Sequence, residues 1–173
     1  MDTRILESER IFLRPLSVDE LLSINNNKIN SVETPIEVEA IFDFVKLAIS
    51  KKLEKMKNVD KKTHEWYTYW LIIDKYSGKG IGFIGFKGVP DECGYSEVGY
   101  SISHNYRRKG LMTEALSLLI RWAFKFPNCK GVTAKRVLVN NTGSNNVLNN
   151  CNFSLVSSSG EENTYICTSE NKH

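Results

Sequence analysis

The pattern of apolar residues predicts an α/β (α+β) fold, with a mixed central sheet of about seven strands flanked by about four helices. Three observations carry this expectation. Residues 65–102 hold three β-rich runs separated by turn chemistry, the signature of an antiparallel meander. The last run leads into an apolar-periodic stretch over 111–126 and then a further strand. That passage, around 94–139, should make its two strands parallel neighbours by a right-handed crossover. Upstream of the meander, two capping-box patterns open two more helices. At 173 residues the chain is expected to form one domain, 1–173, with a substantial core.

Residues 5–15 alternate, with Ile11 and Leu13 on one face and Phe12 and Arg14 on the other, and read as a first strand. Ser17, with Glu20 three residues on, opens a short helix that Asn25, Asn26 and Asn27 stop. Thr34-Pro35-Ile36-Glu37 reads as a second capping box with proline at the first helical position. The long helix after it carries one apolar stripe: Ile41, Phe42, Val45, Ala48, Ile49, Leu53 and Met56. Lys51, Lys52, Lys55 and Lys57 near its end suit the helix dipole and read as a solvated face, with ribosomal RNA the less favoured partner.

Residues 65–74 and 81–89 form a hairpin across a Ser-Gly and Lys-Gly turn, and 93–102 is the next strand. The helix over 111–126 buries Leu111, Ala115, Leu118, Leu119, Trp122 and Phe126. A strand over 133–139, a short helix over 141–150 and two strands at 153–156 and 163–168 complete the order.

Composition excludes several classes. A net charge of +3 is too mild to imply nucleic-acid binding, so no DNA partner is expected. Cys93, Cys129, Cys151 and Cys167 show no C-x-x-C spacing and no histidine partners, so reduced thiols, no metal and a cytoplasmic location are expected. Residues 1–4 lack the apolar segment of a secretory signal, and no apolar run reaches membrane-spanning length.

The chemistry points to Arg107-Arg108-Lys109-Gly110-Leu111-Met112, a basic turn between a strand and a helix. The first amides of a helix lack intrahelical acceptors and carry the positive end of its dipole, so such a turn is an anion site. Gly110 permits a tight approach. The spacing fits neither the P-loop nor the dinucleotide fingerprint. It resembles the pyrophosphate signature R/Q-x-x-G-x-G/A of the GNAT superfamily of N-acetyltransferases, matching at Arg107 and Gly110 and departing at Met112. Gly99-Tyr100, the basic turn and Thr113-Glu114-Ala115 resemble the branch that acetylates ribosomal-protein N-termini (RimJ/RimL-like). Asn141, Ser144, Val147, Leu148 and Phe153 match a second pattern of that family in register, with Asn152 where glycine is usual. The element order agrees over roughly residues 5–168.

The resemblance implies acetyl-CoA as acetyl donor and a primary amine as acceptor: a protein N-terminus, ribosomal or other, or a small amine. It also leaves room for a homodimer. Carried over by residue, backbone groups around Tyr100 to Ile102 meet the pantetheine arm, amides from Arg107 through Arg108, Lys109, Gly110 and Leu111 to Met112 hold the pyrophosphate, Asn141 contacts the pantetheine, and Ser144 lies near the thiol. An amine is largely protonated at neutral pH and needs a base. Glu97, on one strand face with Tyr95 and Gly99, is the first candidate, with Glu161 and Glu162 behind it. Its alternative is a plain surface pair with a lysine. Leu148 stands near the position of the tyrosine that many relatives use to protonate the thiolate, so Ser144 is the candidate acid. A non-catalytic acyl-CoA-binding or interaction module is the competing reading.

Overall fold

The computed structural model describes residues 4–171. Eight strands form one sheet: β1 (Leu6–Glu7), β2 (Ile11–Pro15), β3 (Trp70–Asp74), β4 (Gly80–Phe86), β5 (Tyr95–Ile102), β6 (Gly131–Leu138), β7 (Ser154–Ser159) and β8 (Glu162–Thr168). Their spatial order is β1-β2-β3-β4-β5-β6-β8-β7. The helices are α1 (Val18–Asn25), α2 (Asp43–Met56), α3 (Leu111–Ala123) and α4 (Thr142–Asn150). All neighbouring strands are antiparallel except β5 and β6, which run parallel on either side of α3.

That parallel pairing is short, and it makes the site. Only Tyr95↔Gly131, Ser96↔Val132 and Glu97↔Thr133 are partners. Beyond them β5 stays with β4, whereas β6 stays with β8. A bulge puts Lys135 and Arg136 between Ala134 and Val137, with Arg136 at φ 57°. A bulged strand bends, and β6 leaves β5 as the open arm of a fork.

Apolar residues fill both faces of the sheet. Val98 and Ile102 pack with Leu111, Ala115, Leu119 and Trp122 of α3 and Leu148 of α4. On the other face Leu71 and Phe83 pack with Leu21 and Ile24 of α1 and Val45 and Ile49 of α2. Trp66 and Trp70 hold the end of α3, their ring centroids 4.8 and 5.1 Å from that of Trp122.

The meander, the crossover and the first capping box stand as expected. Ser17 accepts from the Glu20 amide at 3.1 Å, and Glu20 accepts from the Ser17 amide at 3.1 Å. Five expectations need correction. Residues 5–15 are not one strand but β1 and β2, folded back at Ser8–Arg10, which raises the strand count to eight. Thr34 caps nothing: its hydroxyl is taken by Arg14 at 3.0 Å. Pro35 and Glu37 bracket Gly80 in a parallel bridge instead, so α2 starts at Asp43. Residues 61–66 form a 3-10 helix capped by Asp60, and β3 begins only at Trp70. α3 ends at Ala123, short of Phe126.

The fifth correction concerns the lysines. Lys52 is buried, not solvated. Its ammonium donates to the carbonyls of Phe86 at 2.9 Å and Tyr67 at 3.1 Å, and lies 4.5 Å from the centroid of the Tyr69 ring. Burial first, then the positive charges of Lys55 and Lys87, push it down to about 7.

Candidate functional site

The fork opens into a cleft of about 470 Å³. Tyr100, Ser101 and Ile102 of β5 form one wall, and Asn141, Gly143 and Ser144 at the start of α4 form the other. Its end is closed by the turn from Arg107 through Gly110 to the first residues of α3.

The turn has the geometry of an anion cradle. Arg108 lies at φ 62° and Gly110 at φ 77°, two left-handed residues flanking Lys109. Gly110 caps α3, whose first backbone hydrogen bond runs from Glu114 N to Gly110 O. The amides of Leu111, Met112 and Thr113 therefore have no helical acceptor, and all three residues line the cleft. Met112, where the family pattern has a small residue, is buried in the core, so its bulk is accommodated below the turn. Arg107 folds back to donate to Ile102 O at 3.2 Å, and its guanidinium lies 5.7 Å from the Phe42 ring centroid.

Glu114 braces the turn from behind. Its carboxylate takes the Ser8 hydroxyl at 2.7 Å and the guanidinium of Arg10. Burial raises this carboxyl, but the hydrogen bonds from Ser8 and Arg10 outweigh it and leave it below its ordinary range. The Thr113-Glu114-Ala115 triplet is thus read in space: Thr113 faces the cleft, Glu114 anchors β1 and β2, and Ala115 packs in the core.

The α4 wall is fixed by amides. Asn141 accepts from Ser144 N at 3.0 Å, as an N-cap does. Asn145 donates to Asn141 O at 2.7 Å and Leu138 O at 2.9 Å, and accepts from Tyr165 OH at 2.5 Å. These bonds tie α4 to β6 and β8. Asn152 adopts φ 66°, in keeping with its place in the glycine position of the pattern. Leu148 is fully buried.

Of the residues singled out from sequence, Tyr100, Ile102, Arg107, Arg108, Gly110, Leu111, Met112, Asn141 and Ser144 share this cleft. Lys109 turns to a neighbouring depression with Arg10, Glu37 and Asp74, its ammonium 5.6 Å from the Tyr106 ring centroid. Glu97 stands outside the cleft lining, before the fork, with its carboxylate 2.5 Å from Lys87 Nζ. Glu161, in the β7–β8 turn, and Glu162, the first residue of β8, are exposed.

Sequence reading missed Phe44, Tyr106, Asn146 and Asn150, which also line the cleft. The one signal for Phe44 was a large aromatic off the apolar stripe of its helix, where it is 54% exposed. Ser101 is buried, and its hydroxyl has no partner among the described residues. Those residues hold no group of three or more His, Cys, Asp or Glu that could bind a metal, and no helix long and apolar enough to cross a membrane.

The family model of the acetyltransferase (GNAT) domain matches residues 10–154. An N-acetyltransferase of Bacillus subtilis (strain 168), YjdG, described as uncharacterized, is 36% identical over 97 residues, 56% of this chain and 57% of that protein. The p20 N-acetyltransferase of Bacillus licheniformis, likewise described, is 37% identical over 82 residues, 47% of this chain and 46% of that one. The matched segments thus span about half the length of these relatives. Among solved structures, the ribosomal-protein-S5-alanine acetyltransferase of Vibrio fischeri superposes with a TM-score of 0.66 at 21% identity, over 97% of this chain and 98% of that one. RimL, a ribosomal L7/L12 α-N-protein acetyltransferase solved with coenzyme A, gives 0.68 at 14%, over 95% and 98%. These two likenesses are of fold. With the family model covering most of its length, the chain belongs to the GNAT acetyltransferase family.

Proposed function

We propose that this protein transfers the acetyl group of acetyl-CoA to a primary amine by direct attack in a ternary complex. The observation that carries the proposal is the fork. One cleft joins a left-handed basic turn at a helix N-terminus, an unpaired strand edge and a capped second helix. The residues present fit the donor. A diphosphate suits the free amides of residues 111–113 and the guanidinium groups of Arg107 and Arg108. A pantetheine arm, an extended chain of amides, suits the edge of β5 from Tyr100 to Ile102, which has lost β6 as partner. Asn141 lies across from that edge. Bound there, the donor supplies an activated acyl group. The protein's part is to hold it, admit the amine and take the amine's proton.

Glu97 is the proposed base, acting directly or through water. It sits on the face of β5 opposite Val98 and Tyr100, in the last β5–β6 pair, with Thr133. Lys87 must release it before it can accept a proton, which an incoming ammonium could bring about by competing for the carboxylate. That ion pair also supports a second reading, in which Glu97 only braces β4 against β5. The acceptor is a protein N-terminus or a small amine. The N-terminal acetyltransferases among the structural neighbours favour the former.

The test is thiol release from acetyl-CoA in the presence of peptides with free N-termini, Nα-blocked lysine peptides and polyamines. Turnover with one class is expected. Glu97→Gln should lower kcat by about a hundredfold or more while acetyl-CoA binding holds, and Lys87→Met should keep the rate. Equal loss in both variants, or equal rates for Glu97→Gln and wild type, contradicts the base. Tight binding of acetyl-CoA with no turnover for any acceptor class favours a binding module.

A further inference from the structure

Tyr100 brings a phenol into the fork that backbone contacts to a pantetheine arm do not need. Val98 and Ile102, on the same face of β5, are buried with α3, so the Tyr100 ring projects to the α3–α4 side. Its hydroxyl approaches the carbonyl oxygen of Ser144 at 3.4 Å. An O–H···O bond is ordinarily about 2.7–2.8 Å, so this donor is barely engaged and can turn to an acceptor in the cleft. Leu148 cannot supply such a group; the Ser144 hydroxyl, the donor expected above, is the competing one.

We propose that the Tyr100 hydroxyl donates a hydrogen bond to the thioester sulfur and holds the CoA thiolate as it leaves. This rests on the acyl-CoA reading of the cleft, in which an arm running from the basic turn along Ile102 to Tyr100 carries the sulfur to the Tyr100 end. In the transfer, the amine nitrogen forms the new C–N bond, the C–S bond breaks and its electron pair passes to sulfur. The proton lost by the amine, taken by the base, is the one that ends on sulfur. The phenol donates throughout and emerges unchanged. A hydrogen bond suits it better than proton transfer, because a phenol near pKa 10 is a weaker acid than a thiol near 8.5. Burial, with Cys151 and Tyr165 nearby, pushes Tyr100 higher still. It therefore stays protonated at every working pH, which is what a permanent donor requires.

The test is Tyr100→Phe, which keeps the ring and removes the donor. Binding of CoA and of desulfo-CoA is measured by calorimetry. The pKa of the bound thiol is read from the ultraviolet difference between the two complexes, which cancels the protein's own titration. Thiol release from acetyl-CoA gives kcat and KM. The expected result is unchanged desulfo-CoA affinity, a bound-thiol pKa raised by about one unit, and kcat lowered roughly tenfold or more at similar KM. An unchanged thiol pKa and kcat in the variant would overturn the assignment. So would equal weakening of CoA and desulfo-CoA, which marks packing alone. Absence of CoA binding by the wild-type protein removes the acyl-CoA reading itself, and Tyr100's role with it. That outcome is distinguishable because it appears before any variant is made.

Discussion

Gly110 shows how a single residue sets the cleft. At φ 77° it occupies a conformation that costs an L side chain about 1–2 kcal/mol. An added Cβ would also come within 3.2 Å of Arg10 Nη2, a flexible side chain that can yield. Gly110→Val is therefore expected to fold, with stability lowered by about 1–2 kcal/mol in urea unfolding, and to disturb the amides of the turn. Ser101 makes the opposite case. Its buried hydroxyl lacks a partner among the described residues, so Ser101→Ala should raise stability by about 1 kcal/mol. Urea melts of the two variants, moving in opposite directions, check both. Gly110 was legible in the sequence because a glycine at a helix start has few uses. Ser101 was not, since orphaning depends on what surrounds a side chain in space.

Among the elements, α2 carries the least expected feature. Its stripe puts Lys52 where an apolar residue belongs, below Phe86 and Tyr67 at the end of β4. The folded state holds this lysine near 7, whereas the unfolded chain holds it near 10.5. Below about 7 both states bind the proton and stability is flat. Between about 7 and 10.5 the unfolded state binds more protons, so stability rises with pH in that window. Urea unfolding at pH 6 and pH 9 should show this gain in the wild type and its loss in Lys52→Met, measured against other titrations common to both. Periodicity identified the helix but assigned its lysines to solvent, because nothing in the spacing tells a snorkelling chain from one that finds two carbonyls. The same limit explains the start of α2. Thr34-Pro35-Ile36-Glu37 has cap chemistry, but Arg14 and Gly80 claimed its groups first. Local signals held where a further partner left the cap bonds standing, as at Ser17, whose Glu20 also accepts from Arg14.

At the scale of the whole molecule, the fork depends on two arms held apart. β5 is held by β4, and α4 is held by Asn145 through Leu138, Asn141 and Tyr165. Asn145→Ala leaves the Tyr165 hydroxyl without that acceptor. It should destabilise the protein by about 1–3 kcal/mol and raise the KM for acetyl-CoA, seen in melts and in thiol-release kinetics. The element order and both cleft-lining motifs were legible because each motif spans few residues and a crossover has one favoured hand. The meeting of β5 with α4 was not, because it arises from a bulge at Lys135–Arg136 that no turn residue announces. Every role given to the cleft requires the fork to bind the acyl donor. Titration calorimetry of acetyl-CoA into the wild type and into folded Gly110→Val tests it most directly. Micromolar binding by the wild type and a loss of about tenfold or more in the variant are expected. No binding by the wild type, or equal binding by both, would contradict it.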